Sequence, residues 1–267
     1  MRRILITMIM LLVVISMNGQ TKIITRQSAS NKTAKATNNT PKSNNNQIKT
    51  KPQGKQNTQK RQTQRGKQAS QPRQVQSLCP DNRHPHAIDL GLPSGTKWAC
   101  CNVGANKPEG YGGYYAWGET ETKSTYNWNT YNHCNGTGKT CHDLGYDIAV
   151  TDYDIAHVKW GGSWQMPSRV QIKEIVEQCN YSWITISGVK GCMFTSKKNG
   201  KSVFFPAAGV FWDNDLHYAS EFANYWSSTQ NPDFISHAYG PSFRSSGASW
   251  YTYGERYTGN PVRPVSR

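Results

Sequence analysis

The chain has 267 residues, 31 Lys plus Arg against 16 Asp plus Glu, and a formal net charge of +15. The excess is not spread along it: from Leu78 onward the basic and acidic residues number 16 each, and no acidic residue precedes Asp81. Residues 79–267 are therefore formally neutral, which excludes a basic nucleic-acid-binding fold there. Charge alone would have suggested one.

The chain opens with Met1, Arg2 and Arg3, then a mostly apolar run from Ile4 to Ile15, then Ser16, Asn18 and Gly19. This charged, hydrophobic and small-residue order predicts a signal peptide over residues 1–19, cut near Gly19 or Gln20. A bilayer span needs roughly 20 apolar residues, more than this run supplies. No cysteine follows it closely, so a lipid-modified terminus is not expected. The predicted location is exported: periplasm, outer surface or secreted, with no membrane span after cleavage.

Residues 20–76 are dominated by Asn, Gln, Thr, Ser and Lys, as in Asn38-Asn39-Thr40-Pro41-Lys42, without Trp, Tyr or Phe. Such a segment buries too little apolar surface to offset its ordering entropy, so a disordered basic tether is expected. It serves either as a spacer or as a contact for polyanions in the envelope.

All nine Trp, fourteen Tyr and seven Phe lie in residues 79–267, enough chain for one core. Turn signals recur at Gly91, Gly95, Gly104, Asn135-Gly136, Gly161-Gly162 and Asn199-Gly200. Short β-type runs lie between them: Lys97 to Cys101, Ser202 to Phe205 and Tyr225 to Ser228. One helix is predicted in the middle. Ser168 and Gln171 form a capping box after Pro167, and Ile172, Ile175, Val176 and Cys179 share a face. The fold class is α+β, with irregular short strands, at least one central helix and long loops. Trp98, Trp117, Trp160, Trp164 and Trp226 are expected in the core.

Several ordered motifs resemble the Fibrobacter succinogenes major paralogous domain. They are Ala87-Ile88-Asp89-Leu90-Gly91-Leu92-Pro93-Ser94-Gly95-Thr96-Lys97-Trp98, Cys101-Asn102-Val103-Gly104-Ala105, Tyr114-Tyr115-Ala116-Trp117-Gly118-Glu119, Trp160 to Ser168, Phe205-Pro206-Ala207-Ala208-Gly209, Tyr225-Trp226-Ser227-Ser228 and Pro261 to Val265. The resemblance covers most of residues 87–265. It implies an exported protein with a C-type-lectin-like fold related to the formylglycine-generating enzyme. That enzyme's working cysteines lie toward its C-terminus, whereas no cysteine follows Cys192 here. The oxidase chemistry is therefore not expected.

Seven cysteines leave an odd one in an oxidising compartment. His133, Cys134, Cys141 and His142 offer four zinc-type ligands, but six residues separate the two cysteines, wider than the usual pairing of two to four. A Cys134–Cys141 disulfide around Asn135-Gly136 is expected instead, and no metal or other cofactor. Acidic pairs at Glu119/Glu121, Asp152/Asp154 and Asp213/Asp215 read as loop acids. Trp212-Asp213-Asn214-Asp215 is similar to the calcium-ligating run of sugar-binding lectins, but its companion motif is interrupted and follows it, at Gln230-Asn231-Pro232-Asp233. No Gly-x-Ser-x-Gly, His-Glu-x-x-His or phosphate loop occurs, so no catalytic residue is assigned.

Arg244 to Tyr257 mixes aromatic, Ser/Gly and charged residues, the composition of adaptable recognition loops. Arg244, Trp250, Tyr251 and Tyr253 are the expected ligand-binding residues, with packing of the same rings as the alternative. The expected function is a non-enzymatic binding module for a glycan or protein, without specific nucleic-acid recognition. The alternative is a structural or adhesive envelope component anchored by its tether. Deleting residues 20–76 is expected to abolish salt-sensitive retention on heparin or DNA while residues 79–267 stay folded. Equal retention of the intact and shortened chains across a salt gradient would place polyanion binding in the domain.

Overall fold

Short strands joined by long irregular segments follow from a sequence punctuated by glycine every few residues. The computed structural model describes Cys79 and residues 81–267; the predicted signal peptide and tether lie outside these residues. The described strands are β1 (Ala87–Asp89), β2 (Lys97–Ala99), β3 (Cys179–Ile186), β4 (Val189–Ser196), β5 (Ser202–Pro206), β6 (Val210–Trp212), β7 (Asp215–His217), β8 (Ala223–Asn224), β9 (His237–Tyr239), β10 (Ser242–Arg244), β11 (Gly247–Ser249), β12 (Tyr253–Glu255) and β13 (Val265–Ser266). Two helices, α1 (Ile155–Trp160) and α2 (Arg169–Gln178), lie between β2 and β3. Every strand pair is antiparallel, in sheets ordered β1-β2-β13, β3-β4-β5, β6-β7, β8-β10-β11 and β9-β12. The architecture is α+β and irregular. No described helix is long and apolar enough to cross a membrane.

Helix α2 starts where its sequence requires. The Gln171 backbone N–H donates to Ser168 Oγ at 3.3 Å, and Gln171 Oε1 accepts from the Ser168 N–H at 2.9 Å. Ile172 and Ile175 are buried, and Val176 packs beside them. Cys179 does not continue the helix. Its backbone is extended and it opens β3, although its side chain enters the same core. The β3–β4 hairpin closes through Ser187-Gly188, both at positive φ (50° and 82°). That turn matches the right-handed twist of the flanking strands. The predicted run Tyr225 to Ser228 is an irregular extended segment rather than a strand, buried throughout. Its main chain is held by neighbours on both sides: Trp226 N–H donates to Pro261 O, Ser227 N–H to Tyr239 O and Ser228 N–H to Pro167 O.

Trp98, Trp117 and Trp226 are fully buried, as expected of core rings. Trp160 and Trp164 are only half-buried and meet each other edge to face at 5.3 Å. One apolar cluster gathers Leu90, Trp98, Ile172, Phe194, Phe205, Phe243 and Val265; a second gathers Tyr115, Trp117, Ile148, Trp226 and Val262.

Two arginines lie wholly inside. Arg263 donates to Asn102 Oδ1 at 2.8 Å, Ala99 O at 3.1 Å and Phe204 O at 2.8 Å, and lies 5.1 Å from the centre of the Phe205 ring. Arg256 donates to Tyr131 Oη and Ile235 O, both at 2.8 Å, and to His142 O at 3.1 Å, with its guanidinium 4.6 Å from the Trp117 ring centre. Arg263→Met strands three buried acceptors, each worth about 1–3 kcal/mol, so a loss of about 3–5 kcal/mol is expected in urea unfolding. Arg263→Lys is expected to recover little, because an ammonium lacks the planar fork that reaches three directions. A change below about 1 kcal/mol for Arg263→Met would refute the assignment.

Candidate functional site

Residues of β6, β8, β10 and β12 line a cleft of about 260 Å³. Its two aromatic walls are Trp212, at the end of β6, and Tyr253, at the start of β12. The β6–β7 pairing lays Trp212 flat on His217, with ring centres 3.6 Å apart and planes 7° from parallel, and Tyr218 flanks it at 5.6 Å. Tyr253 pairs with Tyr239 across β9–β12 and is 52% exposed. Phe234, exposed to the same degree, stacks near it at 6.2 Å and 27°. Rigid rings held this way offer contact area at little entropic cost.

The remaining lining is uncharged: apolar at Val210, Tyr225, Trp226 and Pro241, and polar at Asn224 and Ser242, which are register partners on β8 and β10, with Thr252, Thr258 and Asn260. Gly240 lies in the wall because a Cβ there would fall 2.2 Å from the Tyr225 carbonyl oxygen. Asn260 is 6% exposed; its amide nitrogen donates to Thr258 Oγ1 at 3.2 Å, while its Oδ1 meets no donor in the protein. An unmet buried acceptor costs about 1–3 kcal/mol, and this one has no surface accessible from the cleft.

A larger hollow, about 380 Å³, lies around Glu119, Lys123 and His133. Its central polar groups are already engaged with one another. Glu119 pairs with Lys123 at 2.5 Å and accepts from the Asn132 N–H at 2.8 Å, Lys123 also donates to Thr130 O at 2.6 Å, and His133 Nε2 lies 3.0 Å from Gly118 O. Burial lowers the His133 pKa and so favours its neutral form. The smaller cleft is the better candidate because Trp212 and Tyr253 line it and the side chains of Asn224 and Ser242 are not used in hydrogen bonds inside the fold.

The four residues expected to bind ligand do not converge. Tyr253 lines the cleft. Arg244 lies over the Phe222 ring at 4.6 Å, and its carbonyl accepts from Tyr181 Oη at 2.5 Å. Trp250 is half-buried, packs on the main core, and has the Arg169 guanidinium 5.0 Å and the Lys173 ammonium 5.7 Å from its ring centre. Of the two readings of this ring, ligand contact or packing, its place on the core and beside these cations accords with packing. Tyr251 is 59% exposed and touches only the edge of Trp250 among aromatic rings.

Sequence reasoning missed Trp212 and Asn260 as cleft residues. Trp212 was legible as the start of an Asp-Asn turn, whereas Asn260 carries no local signal. Asp213 and Asn214 form the β6–β7 turn: Asp213 has φ 48° and accepts from Asn127 Nδ2 at 3.2 Å, and Asn214 accepts from Thr125 Oγ1 at 2.6 Å, while Asp215 opens β7 opposite Trp212. Asp154 caps α1, and Glu121 pairs with Lys159 at 2.6 Å. Cys134 and Cys141 stand at disulfide-bonding distance. Among the described residues, the donors grouped as a metal would need them are Cys79, His84, His86 and Cys100.

No family model, curated protein or solved structure matches the chain. Trp250→Ala is expected to cost about 2–3 kcal/mol through lost packing and cation–π contact, whereas Tyr251→Ala should stay within about 0.5 kcal/mol. Urea unfolding of both variants checks this; a neutral Trp250→Ala would return that ring to the ligand surface.

Proposed function

We propose that the chain is a non-enzymatic binding module of the cell envelope that holds a glycan or a protein segment between Trp212 and Tyr253. A neutral saccharide is the best fit. The observation that carries this reading is a cleft that places Trp212 and Tyr253 together with the amide of Asn224 and the hydroxyls of Ser242, Thr252 and Thr258. A sugar presents an apolar face for a ring and hydroxyls for amide and hydroxyl partners, and each group of the cleft has a counterpart on it. The lining side chains carry no formal charge at neutral pH, which suits an uncharged ligand.

The motif resemblance to the Fibrobacter succinogenes major paralogous domain, with its C-type-lectin-like fold and export, belongs to the same proposal. The antiparallel, loop-rich architecture is compatible with it.

Tyr253→Ala is expected to weaken saccharide binding by about 2 kcal/mol, roughly 30-fold, with little change in melting temperature. A glycan array probed with the intact chain, followed by calorimetric titration of any saccharide it retains, is the test. Retention unaffected by Tyr253→Ala would move the site elsewhere, and no retention on any glycan would leave a protein ligand or an adhesive role.

A further inference from the structure

Where the described chain enters β1, Cys79, His84, His86 and Cys100 place one ligand atom each within 4.8 Å of one another. The strand register causes part of this. Ala87 faces Ala99, so the next pair outward is His86 and Cys100, and the Cys100 N–H donates to His86 O at 3.0 Å. His84 is two residues further along and returns its ring to the same sulfur. His84 Nδ1 lies 3.1 Å and His86 Nδ1 3.6 Å from Cys100 Sγ. We propose that these four side chains bind one zinc ion as a structural Cys2His2 centre that ties the start of the domain to β2.

The four donors are close enough to converge on one ion with shifts of about 1 Å or less from their present separations of up to 4.8 Å. Zn–S bonds of about 2.3 Å and Zn–N bonds of about 2.0–2.1 Å in a tetrahedron separate neighbouring donors by about 3.3–3.8 Å. Two thiolates and two imidazoles are the donor set that favours zinc over oxygen-seeking cations. Both sulfurs are buried, over an apolar seat of Ile88, Ala105 and Trp160, while the imidazoles are half-buried.

The surroundings orient these donors. His86 Nε2 lies 3.0 Å from Asp81 Oδ1 on the side away from Cys100. This carboxylate–imidazole arrangement sets the tautomer that presents Nδ1 as an electron pair. Asp81 is itself fixed by the Arg83 N–H at 2.7 Å and its guanidinium at 3.1 Å. The His86 N–H also donates to Cys100 Sγ at 3.1 Å, a bond that suits a thiolate. The motif escapes sequence reading because His-Pro-His and a cysteine fourteen residues later do not follow the usual finger spacing.

The test uses the intact chain purified with zinc and dialysed free of loose metal. About one zinc per chain is expected by elemental analysis. Cobalt substitution should give the intense visible bands of a tetrahedral site and a sulfur-to-metal charge-transfer band. The paired substitutions His84→Ala and His86→Ala should abolish both signals. Asp81→Asn, which keeps all four ligands, should weaken zinc by about 10–100-fold while the far-ultraviolet spectrum stays unchanged. A disulfide between Cys79 and Cys100 or Cys101 in the zinc-supplied protein, found by non-reducing peptide mapping, would overturn the proposal. So would zinc retained equally by the two-histidine variant, or an octahedral cobalt spectrum without the charge-transfer band.

Discussion

The architecture depends on one buried guanidinium. A cation removed from water is costly unless its donors are met, and Arg263 meets them with the carbonyls of Ala99 and Phe204 and the amide oxygen of Asn102. Those acceptors belong to β2, to β5 and to the loop after β2. Short strands with few ladder bonds cannot align three such segments by themselves, and charge-assisted bonds from one planar group can. The same residue lies over Phe205, which touches Trp98, Phe194, Tyr225 and Phe243 edge to face, so polar and apolar order meet at one point.

Arg256 repeats part of the device in the second half of the core, with Nε and Nη1 met and Nη2 left without a hydrogen-bond partner. It joins Tyr131, His142 and Ile235 and covers Trp117. Both arginines lie close in sequence to Asn260, and Asn260 exchanges backbone hydrogen bonds with Tyr115. The floor of the cleft is thus a short segment clamped between two buried cations. That segment is held in place by rigid neighbours, which is what a preorganised cleft requires.

Much of this was legible in the sequence where a local rule applies. The capping box of α2, the glycine-rich turns, the core tryptophans Trp98, Trp117 and Trp226, and the partnership of Cys134 with Cys141 across an Asn-Gly turn all follow from short-range chemistry. What was not legible depends on long-range placement. Trp250 looks like an exposed ring among Ser and Gly, yet Arg169 and Lys173 arrive from a helix some eighty residues earlier in the chain to cover it. Tyr225 to Ser228 has strand composition but lies among segments that bond it irregularly. Asn260 and the grouping of Cys79, His84, His86 and Cys100 become visible only once distant strands are paired. Composition identified the class of surface, but not which of its rings share a wall.

The sheet β1-β2-β13 also bears on the order in which the protein is made. β2 sits between the first strand and the last, and Val265 N–H bonds to Gln165 O while Val262 O accepts from the Val103 N–H. A nascent chain that has not yet emerged as far as Val265 lacks one edge of this sheet, the guanidinium of Arg263 and the bridge to the segment before α2. Helix α2 and the β3-β4-β5 meander can form from local contacts, but the core cannot close around them. Closure of the core therefore waits for residues 262–265. Without them Trp98 loses its pairing partner Val265, and Phe205 loses the guanidinium that lies over it.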